Sequence, residues 1–266
     1  MSDAAENETM NLTKFDQKYV RLKDIYGETC IGMAVHHSAD YCYHEYAVDE
    51  EALQIGDCII YASQIAGIEE VTPHGSAELW TEHLVLRRYR EEDAADLHQY
   101  LGTDPAMSEY SGWNPYATPE MAQEMVRRFI EGYGDDFGCA SHTYSWVLDV
   151  DDVIVGTIGA YDYTEGPDGD GGSESCIEVG LSIVQGWRGR GFAAEALACV
   201  LHHLTENEGI DCVTAWCAAD NIGSWKAMEK AGMQRVATEK DGLVVGDQTY
   251  DKLIYEYRHN KREQRK

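Results

Sequence analysis

Positive charge is scarce in this chain. Against 48 Asp and Glu there are 21 Lys and Arg, a formal net charge of −27 over 266 residues. An excess of that size repels phosphate backbones and anionic headgroups, which argues against general affinity for nucleic acid or for an anionic membrane. No apolar run approaches the roughly 18 residues of a membrane span. The first ten residues, MSDAAENETM, are acidic and lack an apolar stretch, so no signal peptide is expected there. The eight cysteines include no Cys-x-x-Cys pair and no tight framework; that usage fits buried thiols in a reducing cytoplasm. What is present is ordinary globular composition, 44% hydrophobic and 26% charged, in a chain long enough for two domains.

The two parts read differently. Residues 1–11 and 261–266 are polar ends expected to be disordered. Over residues 12–74 the pattern is short and β-like: KYVRLKD and ETCIGMAVHH read as strands around the Tyr26-Gly27 turn, and CIIYASQIAGIEEV follows the acidic stretch YAVDEEALQIGD. The breaker TPHGS then reads as a linker. Several short strands in so few residues suggest a small all-β barrel-like domain. Its opening strands are weakly similar to Sm-like and SH3-like barrels. RNA binding would need a basic face, and residues 1–77 carry 14 acids against 4 Lys and Arg. The expected use of this part is contact with a second copy of the chain, with another protein, or with the rest of the same chain.

Residues 78–259 read as one mixed α/β domain. LVLRRY is a strand, and REEDAADLHQYL a helix with acids in its first turn, as the helix dipole favours. TPEMAQEMVRRFIEGY places Thr118 at the N-cap and Pro119 at the first helical position. Three strands follow, SHTYSWVLDV, VIVGTIGAYDYT and SCIEVGLSIV. In GFAAEALACVLHHLTENE, helical spacing lines up Ala193, Leu197, Val200, Leu201 and Leu204. CVTAWCA is a strand, NIGSWKAMEKAG a helix capped by Asn221 and ended by Gly232, and TYDKLIYEYR a final strand.

Between a strand and a helix lies VQGWRGRGFAAEAL. Gly189 and Gly191 permit close backbone approach and positive φ. The first N–H groups of the next helix lack internal partners and form an anion site, and Arg188 and Arg190 add charge. Taken alone, the loop is also readable as a surface turn with solvated arginines.

It does not stand alone. RGRGFA, residues 188–193, matches the Arg/Gln-x-x-Gly-x-Gly/Ala motif of the GNAT acyltransferase superfamily, and residues 78–258 resemble its RimJ/RimL-like branch. TEHLVLRRYREEDAADL resembles that branch's N-terminal signature, EVGLSI its fourth strand, GRGFAAEAL its third helix, and NIGSWKAMEKAGM its Asn-x-x-Ser segment. The resemblance implies a GNAT fold with a mixed central sheet and acetyl-CoA as cosubstrate. By it, the pyrophosphate lies against backbone N–H groups of Gly189, Arg190, Gly191, Phe192 and Ala193, with Arg188 at the head of the motif. Leu181 and Ile183 would supply contacts on the fourth strand, Leu181 toward the thioester carbonyl. Asn221 would orient the cofactor arm.

For chemistry, Glu178 stands where similar enzymes carry a carboxylate and is the candidate base for the amine; the alternative is a structural carboxylate. Many members have a tyrosine four residues beyond the position of Ser224; this chain has Met228 there. Ser224 is then the candidate acid, against a plain helix-start role. The expected acceptor is a primary amine, on a protein N-terminus or a small molecule. A second reading keeps the fold but not the chemistry, giving an acyl-CoA-binding sensor or scaffold whose N-terminal domain docks a partner.

Three further features are set aside. HHSADYCYHEY brings His36, Cys42 and His44 close in sequence, and strand alternation would align the last two. Zinc sites show cleaner spacing, and no metal is expected. TEGPDGDGGSES lacks the calcium-loop ligand pattern and reads as a flexible connection whose acids attract a cationic amine. The AWC of the penultimate strand, Trp113, Tyr116 and Tyr133 offer either an acceptor cleft or, by preference, core packing.

Overall fold

A computed structural model describes residues 11–56, 58–133, 142–167 and 172–258. The chain separates into two compact units, Met1–Pro73 and His74–Lys266. Among the described residues no helix is long and apolar enough to cross a membrane.

The first unit contains β1 (Lys18–Asp24), β2 (Thr29–His37), α1 (Ala39–Tyr46), β3 (Ala52–Ile55), β4 (Cys58–Tyr61) and β5 (Ile65–Glu70). In β1 alternation sends Val20 and Leu22 inward. Arg21 faces outward, 3.0 Å from Glu69, and Lys18, exposed at the start of the strand, lies 3.2 Å from Glu70. Leu12, Phe15, Ala34, Leu53, Ile55 and Ile60 complete the core with Val20 and Leu22. The strands form an antiparallel sheet in the order β4-β3-β2-β1-β5. No ladder joins β4 to β5 among the described residues.

The stretch read as an acidic connection holds the end of α1 and all of β3. Ser38 starts α1 by accepting from the Tyr41 N–H (3.2 Å), an ordinary N-cap. Cys42 and His44 therefore sit on a helix, where residues two apart diverge, and the strand alternation expected to align them does not apply. Cys42 is buried, His44 lies exposed 3.7 Å from Asp40, and His36 is 3.2 Å from Glu51.

The second unit is built on β6 (Leu79–Trp80), β7 (Val85–Arg87), α2 (Asp93–Leu97), α3 (Ala106–Glu109), α4 (Pro119–Gly132), β8 (Tyr144–Val150), β9 (Val153–Pro167), β10 (Ser173–Ile183), α5 (Phe192–His202), β11 (Cys212–Ala218), α6 (Ile222–Lys230), β12 (Gln234–Val245) and β13 (Gln248–Arg258). Its eight strands lie in the order β12-β13-β11-β10-β9-β8-β7-β6, with β10 and β11 parallel and every other neighbouring pair antiparallel. This is the mixed α/β sheet expected of a GNAT fold. Thr118 and Pro119 open α4 as expected, with Thr118 accepting from the Met121 N–H at 3.2 Å.

Side-chain alternation gives the sheet two apolar faces. One packs Trp146, Leu148, Ile177, Val179 and Val213 with Leu197, Val200 and Leu201 of α5. The other packs Val147 and Ile154 with Leu97 of α2 and Ala122 and Val126 of α4. A buried cation ties α2 to the sheet. Arg87 donates from both terminal nitrogens to Asp93 at 2.9 Å and from Nε to Asp149 at 3.1 Å.

Two strands of this unit escape the sequence reading. β6 has only two residues. β12 is exposed along almost its whole length, so the apolar alternation that announces a strand is missing. β12 also bulges twice against β13, between Arg235 and Ala237 and between Glu239 and Leu243.

Residues 74–77, ahead of the expected start at 78, are bonded into the second unit. The Gly75 N–H donates to Glu208 (2.8 Å), and the Gly75 carbonyl accepts from His203 Nε2 (2.8 Å). The Ser76 hydroxyl accepts from the Ser145 N–H (3.0 Å), and the Ala77 carbonyl from the Trp146 indole (2.7 Å). Removing a buried partner costs more than one bond's net worth. A chain starting at Glu78 should therefore unfold with about 2 kcal/mol less stability, or worse, than one starting at His74. Urea unfolding of the two chains checks this; equal midpoints would make residues 74–77 dispensable.

Candidate active site

The sheet of the second unit opens at one point. β10 and β11 pair only over Cys176–Cys212, Ile177–Val213 and Glu178–Thr214. Beyond Glu178, β10 runs on to Ile183, still laddered to β9, and β11 runs on to Ala218. In an antiparallel ladder, alternate residues turn their N–H and C=O toward the partner. The Val184 N–H bonds the Val155 carbonyl (2.9 Å), in the same register as Ser182–Thr157 and Gly180–Gly159. The even-numbered residues thus face β9, and the N–H groups of Val179, Leu181 and Ile183 face the gap. Leu181 and Ile183 therefore stand where backbone donors are open to a ligand.

The glycine loop lies at the end of this gap. Gly191 precedes α5 with φ of 95°, and Gly189 has φ of 78°, a region L side chains rarely adopt. The N–H groups of Phe192 and Ala193, in the first turn of α5, have no partner within the helix. They point out at its positive end.

The two arginines are engaged elsewhere. Arg188 donates from Nε to the Ile183 carbonyl (2.9 Å) and pairs with the buried Asp104. Arg190 stacks over Trp187, 4.5 Å from the ring centroid, and donates to the Gly186 carbonyl (3.3 Å). Both brace the loop from behind. The cation beside Gly191 is Lys230 of α6, whose Nζ would lie 3.4 Å from a Cβ placed there. Sequence reasoning passed over Lys230, although it is the lysine of the Lys-Ala-Gly that ends α6.

Glu178 sits at the fork, half-buried, with Oε1 accepting from the Trp216 indole N–H at 2.9 Å. Burial pushes its carboxyl above the usual range, and the charge of Asp162 adds to this; the Trp216 donor and the Lys252 ammonium pull the other way. Tyr161 is its partner in the β9–β10 ladder. That side chain crosses Gly180, where a Cβ would stand 2.5 Å from the Tyr161 hydroxyl, so glycine is needed for the ring to lie there. Desolvation of the hydroxyl where it lies over Gly180, with the charges of Glu178 and Asp162, raises it to about 12 although the ring is partly exposed, which keeps it protonated.

Asn221 caps α6, its Oδ1 accepting from the Ser224 N–H at 3.2 Å. Cys217 is buried, which pushes its thiol up, and the Ser224 hydroxyl pulls the other way. Met228 is buried among the core residues. Tyr116 and Tyr133 are core as preferred: Tyr116 meets Tyr89 (3.2 Å), and Tyr133 donates to the Ser145 carbonyl (3.0 Å). Trp113 is exposed, whereas Trp216 belongs to the Glu178 cluster. The tip of the β12–β13 hairpin rests on the segment after α3. There Tyr250 and Tyr110 meet edge to face at 5.3 Å, and a Cβ on Gly112 would stand 3.3 Å from Val245. The acidic loop expected near the site lies partly outside the described residues.

A parallel strand pair that opens at a carboxylate, followed by a glycine loop and a helix N-terminus, defines an acyltransferase fold of the GNAT class. Residues 83–234 match the acetyltransferase (GNAT) domain family, and the chain belongs to that family. It is 23% identical over 175 residues to an uncharacterized N-acetyltransferase, YnaD, of Bacillus subtilis, covering 66% of this chain and 93% of that protein. The fold is shared with a ribosomal-protein-S5-alanine acetyltransferase from Vibrio fischeri, at a TM-score of 0.59 and 16% identity over 70% of this chain and 98% of that one. It is shared too with Mycobacterium smegmatis RimJ in complex with CoA-disulfide, at a TM-score of 0.53 and 19% identity over 66% and 81%.

If Arg188 is a brace, Arg188→Met should lower stability by about 1–3 kcal/mol, because Asp104 loses its cation inside the fold. Thermal unfolding measures this. An unchanged Tm, with weaker binding of a phosphate-bearing ligand, would instead return the arginine to the binding surface.

Proposed function

We propose that the chain is an acetyl-CoA-dependent N-acetyltransferase acting on a primary amine. The observation that carries this reading is the fork. A half-buried carboxylate stands at the point where β10 and β11 separate, and backbone donors continue from there to a glycine loop. A pantetheine arm, with its row of amide groups, suits unpaired strand donors, and a pyrophosphate suits the start of α5. Gly189 to Ala193 would hold the pyrophosphate, with Lys230 beside them. Leu181 and Ile183 would hold the arm through their N–H groups, and Asn221 would flank it.

Acetyl-CoA, when bound, supplies an acetyl group already activated as a thioester. The chain's own residues do the rest. Glu178 takes the amine proton on its second oxygen, directly or through a water. The Leu181 N–H donates toward the carbonyl oxygen as that oxygen gains charge. Ser224 is the donor available to a departing thiolate, which needs little help because thiols ionise near pH 8.5.

A protein α-amine is the favoured acceptor. It ionises near pH 8, so roughly a quarter is neutral at pH 7.5, whereas a lysine near 10.4 is about 0.1% neutral. In support, the Vibrio protein of the same fold is named for modifying an alanine of a ribosomal protein. The N-terminal unit is left to contacts with a second copy or another protein.

Glu178→Gln should lower kcat by roughly 10²-fold or more at neutral pH, keep acetyl-CoA affinity, and regain part of its rate as pH rises. In the unaltered enzyme, kcat/KM should fall as pH drops through the raised Glu178 value, because protonation removes the base. Thiol release with an amine panel reads both; an unchanged kcat in the variant makes Glu178 structural. Gly191→Val should weaken acetyl-CoA binding tenfold or more, about 1.4 kcal/mol, since valine does not tolerate this φ. Calorimetry showing full affinity in a folded variant would move the cofactor elsewhere.

A further inference from the structure

Glu178 is held by a partner that the proposed chemistry does not use. In the parallel ladder Glu178 lies opposite Thr214. Trp216 stands two residues further along β11 on the same face, already past the point where the strands separate. Its indole reaches back to Oε1 of Glu178 at 2.9 Å. An indole N–H only donates, and it has no proton to lose at any working pH. It favours the ionised carboxylate, fixes one oxygen, and leaves the other without a side-chain donor among the described residues. On its face the ring carries Lys252, with Nζ 4.9 Å from the centroid. Lys252 is opposite Ala218 in the β11–β13 ladder, which sets its side chain on the same face as Trp216, and it forms no ion pair with a carboxylate among the described residues. Among the described residues, the other titratable groups acting on Glu178 are Asp162 and Tyr161 of β9.

From this juxtaposition we propose that Trp216 is a positioning residue for acyl transfer: it orients the Glu178 carboxylate and keeps it ionised, with Lys252 holding the indole from above. The proposal rests on Glu178 being the base. The arrangement answers a conflict at the fork. Glu178 must be dry enough to bind a proton, yet it faces the negative charge of Asp162, and both conditions favour the protonated acid, which is no base. A lysine or arginine placed directly on the carboxylate would solve this but would also repel a cationic acceptor. A neutral donor between the carboxylate and Lys252 stabilises the anion without placing a positive charge where the amine arrives.

The test uses the full chain and two variants that remove the N–H. Trp216→Phe keeps an aromatic face, and replacement of the indole by benzothiophene, introduced as an unnatural amino acid, keeps the ring shape should phenylalanine disturb folding. The side-chain carboxyl of Glu178, followed by 13C NMR and assigned with Glu178→Gln, reports protonation without any activity. Both variants should raise its midpoint by about half to one pH unit, the scale of losing one partly exposed hydrogen bond to a charge. The acid limb of kcat/KM should move up by the same amount, with kcat reduced several-fold at pH 7 and the KM for acetyl-CoA unchanged. Lys252→Met should move both midpoints the same way, by less. An unmoved carboxyl midpoint in folded variants overturns the proposal. A moved midpoint, with a pH–rate profile that stays put and a Glu178→Gln enzyme of full activity, would overturn the reading of Glu178 as the base instead.

Discussion

Everything at the site depends on one ladder ending early. A parallel strand pair is satisfied by continuous backbone pairing, and β10 and β11 pair for three positions and then stop. Because β9 still holds β10, the donors on the far side of β10 keep their geometry after losing their partner. Glu178 is the last paired residue of β10. Its place half inside the sheet, and the rise in its proton affinity, follow from lying where a sheet interior becomes an open edge. The glycine loop joins the end of β10 to α5, and a left-handed residue at Gly191 makes the final change of direction into the helix.

The chain's few cations are concentrated in structural work. Arg87 is buried between Asp93 and Asp149, and breaking such a cluster by removing one member typically costs about 3–5 kcal/mol. Arg188 and Arg190 fold back on Asp104, Ile183, Trp187 and Gly186, and Lys252 lies on Trp216. With a net charge of −27, a cation in this protein rarely lacks a nearby acceptor. An arginine in a binding motif therefore does not by itself locate an anion. At this loop both guanidinium groups already have partners within the protein.

The fold of the second unit was legible wherever burial imposed a period. The apolar spacing from Ala193 to Leu204 and the Thr118–Pro119 start announced α5 and α4, and the quoted motifs fixed their order. β12 was not legible because its side chains are exposed and its register is broken twice. In the first unit, α1 was hidden by a helix start that only Ser38 signals. Glu178, the glycine loop and the Asn221 cap were visible as local motifs. Trp216, Lys252, Tyr161 and Lys230 were not, because their roles come from strand register and from contacts between elements far apart in sequence. A tryptophan in AWC looks like core until β10 and β11 are known to part beside it.

The outer edge of the eight-stranded sheet has a consequence of its own. β12 is long, carries Val236 and Val244 exposed, and has no neighbour on its outer side among the described strands. A flat strand of that kind offers its unpaired backbone groups to any other extended chain. Its two bulges break the run of evenly spaced donors and acceptors, and Glu239, Lys240 and Asp241 place charge within the second. At Asp241 the backbone turns to φ of 53° and donates inward to Asp251 (2.9 Å). The hairpin can thus reach out to touch Tyr110 while its rim stays a poor template for intermolecular strand pairing.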